Sequence, residues 1–176
     1  MNVANLITLA RIALAPIYLW LLLQYYVPGD LVGWYLLAGF ILVAATDGID
    51  GAIARRQNKV TKLGKLLDPI ADKILFGGAF VILSILNVMP WWATFAILIR
   101  EVGITIYRLI VVRDQVIPAS SGGKSKTIMQ SIALGWIISP LDVWWFNPVF
   151  NVGYGLIYGA VFLTWWSAIQ YIRDSR

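Results

Sequence analysis

The chain has 176 residues, of which 60% are hydrophobic, and a mean hydropathy of +0.76. A water-soluble domain is usually about 45–50% apolar. The absence of cysteine and histidine excludes disulfides, thiolate or imidazole metal sites, and Cys- or His-based nucleophiles. The net charge of +5 includes no aromatic-interleaved basic tract of the kind that binds nucleic acid.

Six apolar stretches approach the roughly 20 residues that a membrane helix needs. They run over 6–27, 31–54, 66–87, 91–112, 127–146 and 149–171. The breaks carry turn chemistry: Pro28-Gly29-Asp30, Asn87 to Pro90, Ser139-Pro140 and Asn147-Pro148. Ser139, Pro140 and Asp142 interrupt the fifth stretch, which favours an early end with Trp144 to Phe146 in the interface. The apolar run after Arg11 is too long for a signal-peptide core and lacks a small-residue cleavage site. The expected fold is an all-α integral membrane protein with six transmembrane helices, forming one domain over 1–176.

Basic residues set the expected orientation. Arg55, Arg56, Lys59, Lys62 and Lys65 lie in or beside the second connection, Arg113, Lys124 and Lys126 flank the fourth, and Arg173 and Arg176 end the chain. Connections 28–31, 87–90 and 139–148 have neither Lys nor Arg. With six spans, all the basic loops share one side with both termini, and the positive-inside rule makes that side cytoplasmic, as expected of a multi-pass cell (inner or plasma) membrane protein.

Four aspartates interrupt this apolar sequence: Asp47 and Asp50, three apart, and Asp68 and Asp72, four apart. Either spacing puts a helical pair on one face. A carboxylate at the bilayer centre costs roughly 2.5–3.5 kcal/mol, so these four point to an aqueous cavity and a counter-cation. Antiparallel neighbouring helices would bring the pairs together at similar depth, in a polar cavity open to the cytoplasm. A metal held without Cys or His is a hard, oxygen-bound ion: Mg²⁺, Mn²⁺ or Ca²⁺. One or two such ions suit a diphosphate, with Gly51 and Ala54 small enough for its close approach and Arg55 supplying a further cation. Gly51 and Ala54 also fit a purely structural role in close helix packing.

The stretch reads Asp-x-x-Asp-Gly-x-x-Ala-Arg-x8-Gly-x-x-x-Asp-x-x-x-Asp from Asp47 to Asp72. Every fixed position resembles the signature of the CDP-alcohol phosphatidyltransferases, whose six-helix membrane domain would account for the whole chain. The resemblance implies transfer of a phosphatidyl group from CDP-diacylglycerol to an alcohol with release of CMP, on Mg²⁺ or Mn²⁺. It implies Asp47, Asp50 and Asp68 as metal ligands, and Asp72 as general base and possible further ligand. Gly51 and Arg55 match positions that contact the CDP moiety, Ala54 lies beside them, and Thr61 matches a hydroxyl position for the diphosphate. The family also commonly forms homodimers. A purely structural metal ligand is the other reading of Asp72.

The acceptor is read from other residues. Arg100 and Arg108, in the fourth stretch, are about 80° apart around a helix and can edge one pocket. Arg100 could instead be neutralised by Glu101 or an aspartate. Pro118 to Thr127 reads as a polar loop entering the fifth span, with Lys126 offered to an anion and Lys124 to positive-inside anchoring. Arg100, Arg108 and Lys126 together favour an acceptor carrying its own phosphate. Two patterns resemble bacterial phosphatidylglycerophosphate synthases: Asn5-Leu6-Ile7-Thr8-Leu9-Ala10-Arg11, and Arg100-Glu101 followed by Gly123-Lys124-x-Lys126-Thr127-x-x-Gln130. Ser125 departs from the aromatic residue expected there. Asn5 and Thr8, at the entrance of the first span, are assigned to the cytidine end. The expected acceptor is sn-glycerol-3-phosphate. Alternatives are a sister transferase acting on inositol phosphate or phosphatidylglycerol, a divalent-cation transporter, and an inactive structural subunit.

Overall fold

The computed structural model describes residues 3–56, 70–111, 121–144 and 151–174; for 3–7, 47–56, 108–111, 121–124 and 144 it describes the helical backbone alone. Every regular element among the described residues is helical. In chain order these are α1 (Val3–Tyr25), α2 (Val32–Arg56), α3, α4 (Trp91–Val111), α5 (Ser121–Ile138), the short α6 (Leu141–Trp144) and α7 (Val152–Asp174). Helix α3 joins a π-helical segment, Lys73–Gly77, to an α-helical one, Gly78–Ile85.

The helix ends follow from local chemistry. After α1, Gly29 takes a φ of 79°, which a residue with a Cβ rarely adopts, and Asp30 Oδ1 accepts from Val32 N at 2.9 Å to cap α2. Helix α3 ends where Asn87 turns left-handed at φ 58°. Its N–H then reaches Ser84 O at 3.1 Å, and Val88 N reaches Leu83 O at 2.9 Å, satisfying carbonyls that the helix end would leave open. Pro90 then launches α4.

The fifth element differs from expectation at its start and ends early, as its interruption at Ser139-Pro140 leads one to expect. It begins at Ser121, not near 127, so Lys124 to Lys126 lie on its first turns, not in a loop. Its interior contacts to α4 and α7, described below, offset the roughly 1 kcal/mol that each of Gly122 and Gly123 costs a helix. It stops at Ile138 and not at 146: Pro140 has no N–H and disfavours a helical Ser139. Ser139 Oγ accepts from Leu141 N at 3.3 Å as α6 begins.

Side-chain contacts sort the helix ends into two groups. Tyr26, just beyond α1, donates to Ile137 O at 2.7 Å, and Gly33 at the start of α2 abuts Ile138 O. Ser84 near the end of α3 bonds Thr94 near the start of α4 at 2.7 Å, and Trp92 stacks on Tyr158 of α7 at 5.4 Å. The other group gathers Arg11 of α1 with Asp72 at the head of α3, and Tyr107 of α4 with Tyr171 of α7. The long helices are therefore antiparallel in sequence, and α2, about 37 Å long, carries its Asp47 end toward the second group.

Polarity is inverted relative to a soluble fold. Leu22, Leu75, Phe80, Leu83, Leu134 and Ile137 make a shared apolar core, but Thr8, Arg11, Thr94, Arg100, Gln130, Thr164 and Ser167 are also buried. The outer surface shows Ile17, Trp20, Tyr35, Leu42, Ile99, Phe162 and Trp166. So large an apolar exterior calls for an apolar surrounding. Two helices, over Thr8–Tyr25 and Val152–Asp174, are long and apolar enough by themselves to cross a membrane.

Candidate active site

Asp72 stands immediately before the π-helical segment, with its side chain 47% exposed. Its Oδ1 accepts from Arg11 Nη1 at 3.3 Å, across 61 residues of sequence. The Arg11 side chain is wholly buried within α1. A buried guanidinium is tolerable only when paired, so the fold holds a cation against one edge of this half-exposed carboxylate. Thr8, three residues before Arg11 on the same helix, is likewise buried.

Further into the bundle, charges converge from three helices. Glu101 Oε1 on α4 accepts from Arg100 Nη1 at 3.0 Å and from Lys126 Nζ on α5 at 2.5 Å. Arg100 also donates through Nη2 to Ser167 Oγ on α7 at 2.7 Å. One turn along, Gln130 Nε2 of α5 donates to Thr164 Oγ1 of α7 at 2.9 Å.

Of the residues singled out from sequence, the structure brings Arg100 and Lys126 together through Glu101, and pairs Asp72 with Arg11. Arg100 does meet Glu101, as the alternative reading of that arginine had it. Asp47, Asp50, Gly51, Ala54 and Arg55 lie on the helical backbone of α2, with Asp47 and Asp50 one turn apart. Their side chains, and those of Asn5 on α1 and Arg108 on α4, lie outside the described residues, as do Thr61 and Asp68 altogether. Among the described residues no three acidic side chains cluster.

Comparison with known proteins then decides the family. Residues 1–166 match the family described as CDP-alcohol phosphatidyltransferase. The chain belongs to that family. It is 38% identical over 174 residues to a probable phosphatidylglycerophosphate synthase of Mycobacterium tuberculosis (strain ATCC 25618 / H37Rv), covering 97% of this chain and 80% of that one. It is 34% identical over 184 residues to the CDP-diacylglycerol–glycerol-3-phosphate 3-phosphatidyltransferase of Escherichia coli (strain K12), covering 99% and 95%. A Shigella flexneri serotype 5b protein of the same name matches equally, at 34% over 184 residues.

Sequence reasoning misses the part that three features play in this CDP-alcohol phosphatidyltransferase. Arg11 stands there only as part of a motif, although an arginine inside an apolar span is itself a signal, because it requires a partner. Glu101 stands there only as a neutralising neighbour of Arg100, and its bond to Lys126 depends on packing between helices. The π-helical segment after Asp72 has no composition of its own to betray it.

Proposed function

We propose that this phosphatidyltransferase moves the phosphatidyl group of CDP-diacylglycerol to sn-glycerol-3-phosphate, giving phosphatidylglycerophosphate and CMP. The observation that carries the acceptor is the pairing of Arg100 and Lys126 on one Glu101 oxygen. Two gathered cations suit a phosphate that the acceptor itself carries, and the half-exposed Asp72 carboxylate suits a proton acceptor for its hydroxyl. The names of the relatives point the same way.

In the proposed mechanism the lipid tails of CDP-diacylglycerol lie in a groove between helices. Its CDP end rests against Asn5, Thr8, Gly51, Ala54, Arg55 and Thr61. Asp72, held by Arg11, takes the proton of the acceptor's 1-hydroxyl. The resulting oxygen attacks the phosphorus bearing the diacylglycerol; a new P–O bond forms, the P–O bond to CMP breaks, and CMP leaves with the electron pair. Arg100, Arg108 and Lys126 orient the acceptor so that its hydroxyl, not its phosphate, meets Asp72.

The donor set fits a hard divalent ion: it is all carboxylate, with Asp47 and Asp50 one turn apart on α2 and Asp72 partly exposed. Asp47, Asp50, Asp68 and Asp72 would hold one or two Mg²⁺ or Mn²⁺ ions, whose chemistry when bound is neutralisation of the diphosphate and of the departing CMP. The inverted polarity supports a single six-span membrane domain over 1–176. The placement of Lys and Arg supports cytoplasmic termini, a cavity facing the cytoplasm and residence in the cell membrane. A homodimer belongs to the same proposal, on the family resemblance.

The test is CMP release by purified protein given CDP-diacylglycerol with sn-glycerol-3-phosphate, inositol phosphate or phosphatidylglycerol in turn. Turnover with the first alone is the expected result. Preference for either of the others would reassign the acceptor and leave the reaction class standing.

A further inference from the structure

We infer that Glu101 is a positioning residue of the acceptor site: its carboxylate holds Arg100 and Lys126 side by side so that both can meet one phosphate. The inference rests on the acceptor reading given above.

Both cations end on the same oxygen, Glu101 Oε1, at 3.0 and 2.5 Å, so their nitrogens are held about as close as two donors to one anion can be. Two like charges at that separation repel unless an anion lies between them. The two are not equally constrained. Arg100 has a second anchor in Ser167 Oγ and is almost fully buried. Lys126 sits on a flexible four-carbon stem near the start of α5, beside the Arg100 guanidinium with which it shares Glu101 Oε1. The Glu101 side chain is 22% exposed, so its carboxylate keeps some access to solvent while it accepts from both cations.

A resident carboxylate could instead compete with the acceptor's phosphate. The geometry favours holding over competing. A phosphate has three terminal oxygens and Lys126 has three N–H donors, so Lys126 can keep Glu101 and still donate to a phosphate. Repulsion between the partly exposed carboxylate and a phosphate is screened by solvent, whereas loss of its charge-assisted bond frees the lysine outright.

The experiment measures CMP release by the full chain in detergent, varying sn-glycerol-3-phosphate at saturating CDP-diacylglycerol and then the reverse. Glu101→Gln is expected to raise KM for glycerol-3-phosphate about tenfold, the scale of one charge-assisted bond. KM for CDP-diacylglycerol and kcat should stay within about twofold. Glu101→Asp, which keeps the charge on a shorter arm, is expected to fall between the two and supplies the measurement should the Gln variant not fold. Adding Glu101→Gln to Lys126→Met is expected to cost less than Glu101→Gln does alone, since Arg100 keeps its Ser167 anchor and Glu101 acts mainly through Lys126. A fall in acceptor KM in Glu101→Gln would show competition and overturn the inference, as would a loss confined to kcat. If Lys126→Met raises acceptor KM and neither Glu101 variant does, the inference about Glu101 fails alone. If Lys126→Met and Arg100→Gln both leave acceptor KM unchanged, the acceptor reading fails and the inference goes with it.

Discussion

The two ends of the helical bundle are built on opposite terms. At the end holding Tyr26, Gly33 and Ser139, contacts are backbone-close: a Cβ on Gly33 would stand 2.7 Å from Ile138 O, and one on Gly29 would stand 3.1 Å from a Val143 methyl. The connections at that end carry no basic residue. At the other end the links are long side chains carrying charge, Arg11 to Asp72 and Lys126 to Glu101. Steric contacts of the first kind define one arrangement and tolerate nothing larger. Ionic contacts of the second kind can take on a ligand beside the protein partner without moving a helix. The rigid end therefore fixes how the helices lie, and the ionic end can devote its side chains to substrate.

Substitutions at the ionic end should act on turnover, and those at the packed end on stability. The largest effect is expected for Asp72→Asn, which should lower CMP release by on the order of a thousandfold, within the range for loss of a general base. Binding of CDP-diacylglycerol should largely survive; unchanged turnover would remove Asp72 as the base. Arg11→Gln comes next: kcat is expected to fall about tenfold with both KM values little changed, because Asp72 loses its orienting partner. Partial recovery in Arg11→Lys would confirm a role for the cation, and an Arg11→Gln loss that persists undiminished in the Asp72→Asn background would disprove action through that carboxylate.

At the packed end, Gly33→Ala should lower unfolding stability by about 1–3 kcal/mol, since the methyl group meets a backbone carbonyl that cannot rotate away. Thermal unfolding in detergent measures this, and kcat at a permissive temperature should be close to that of the parent. The smallest effect concerns Asp142, in the connection between α5 and α7. Burial raises its carboxyl above the ordinary 3.8, only partly offset by the Trp136 indole and the Gly153 backbone N–H. The folded state then keeps a proton that the unfolded chain has released, so stability declines as pH rises from the ordinary carboxylate range through the folded pKa. Asp142→Asn should flatten that decline, and an unchanged slope would show that another group is responsible.

The contrast between the ends also explains what could be read in the sequence. Helices and breaks were legible because Pro28-Gly29, Asn87 to Pro90 and Ser139-Pro140 act on the backbone locally, and the structure has its turns there. The start of α5 was not, because Ser121 to Lys126 are polar and an apolar threshold passes over them; the tie from Lys126 to Glu101 exists only once α4 and α5 meet. Asp72 stood out because a carboxylate in apolar sequence demands a reason. Its partner did not, since Arg11 is 61 residues away and only packing of α1 against α3 joins them. Arg100 was legible as a buried cation, but its second anchor, Ser167, is an ordinary residue whose role exists only once α4 and α7 touch.

The π-helical segment Lys73–Gly77 carries a further consequence for α3. Closing hydrogen bonds one residue later than an α-helix does introduces an extra residue into the turn, an angular offset of about 100°. Asp72 lies before that offset; the buried positions Ala79, Phe80 and Leu83 lie after it. The segment is thus a phase adjustment between two faces of one helix, letting the carboxylate and the packing stripe take bearings that a uniform helix of the same sequence would not offer together. Along α3, adding or removing a residue would turn the carboxylate relative to the stripe that anchors it, whereas exchanging a side chain would leave their relative bearing intact.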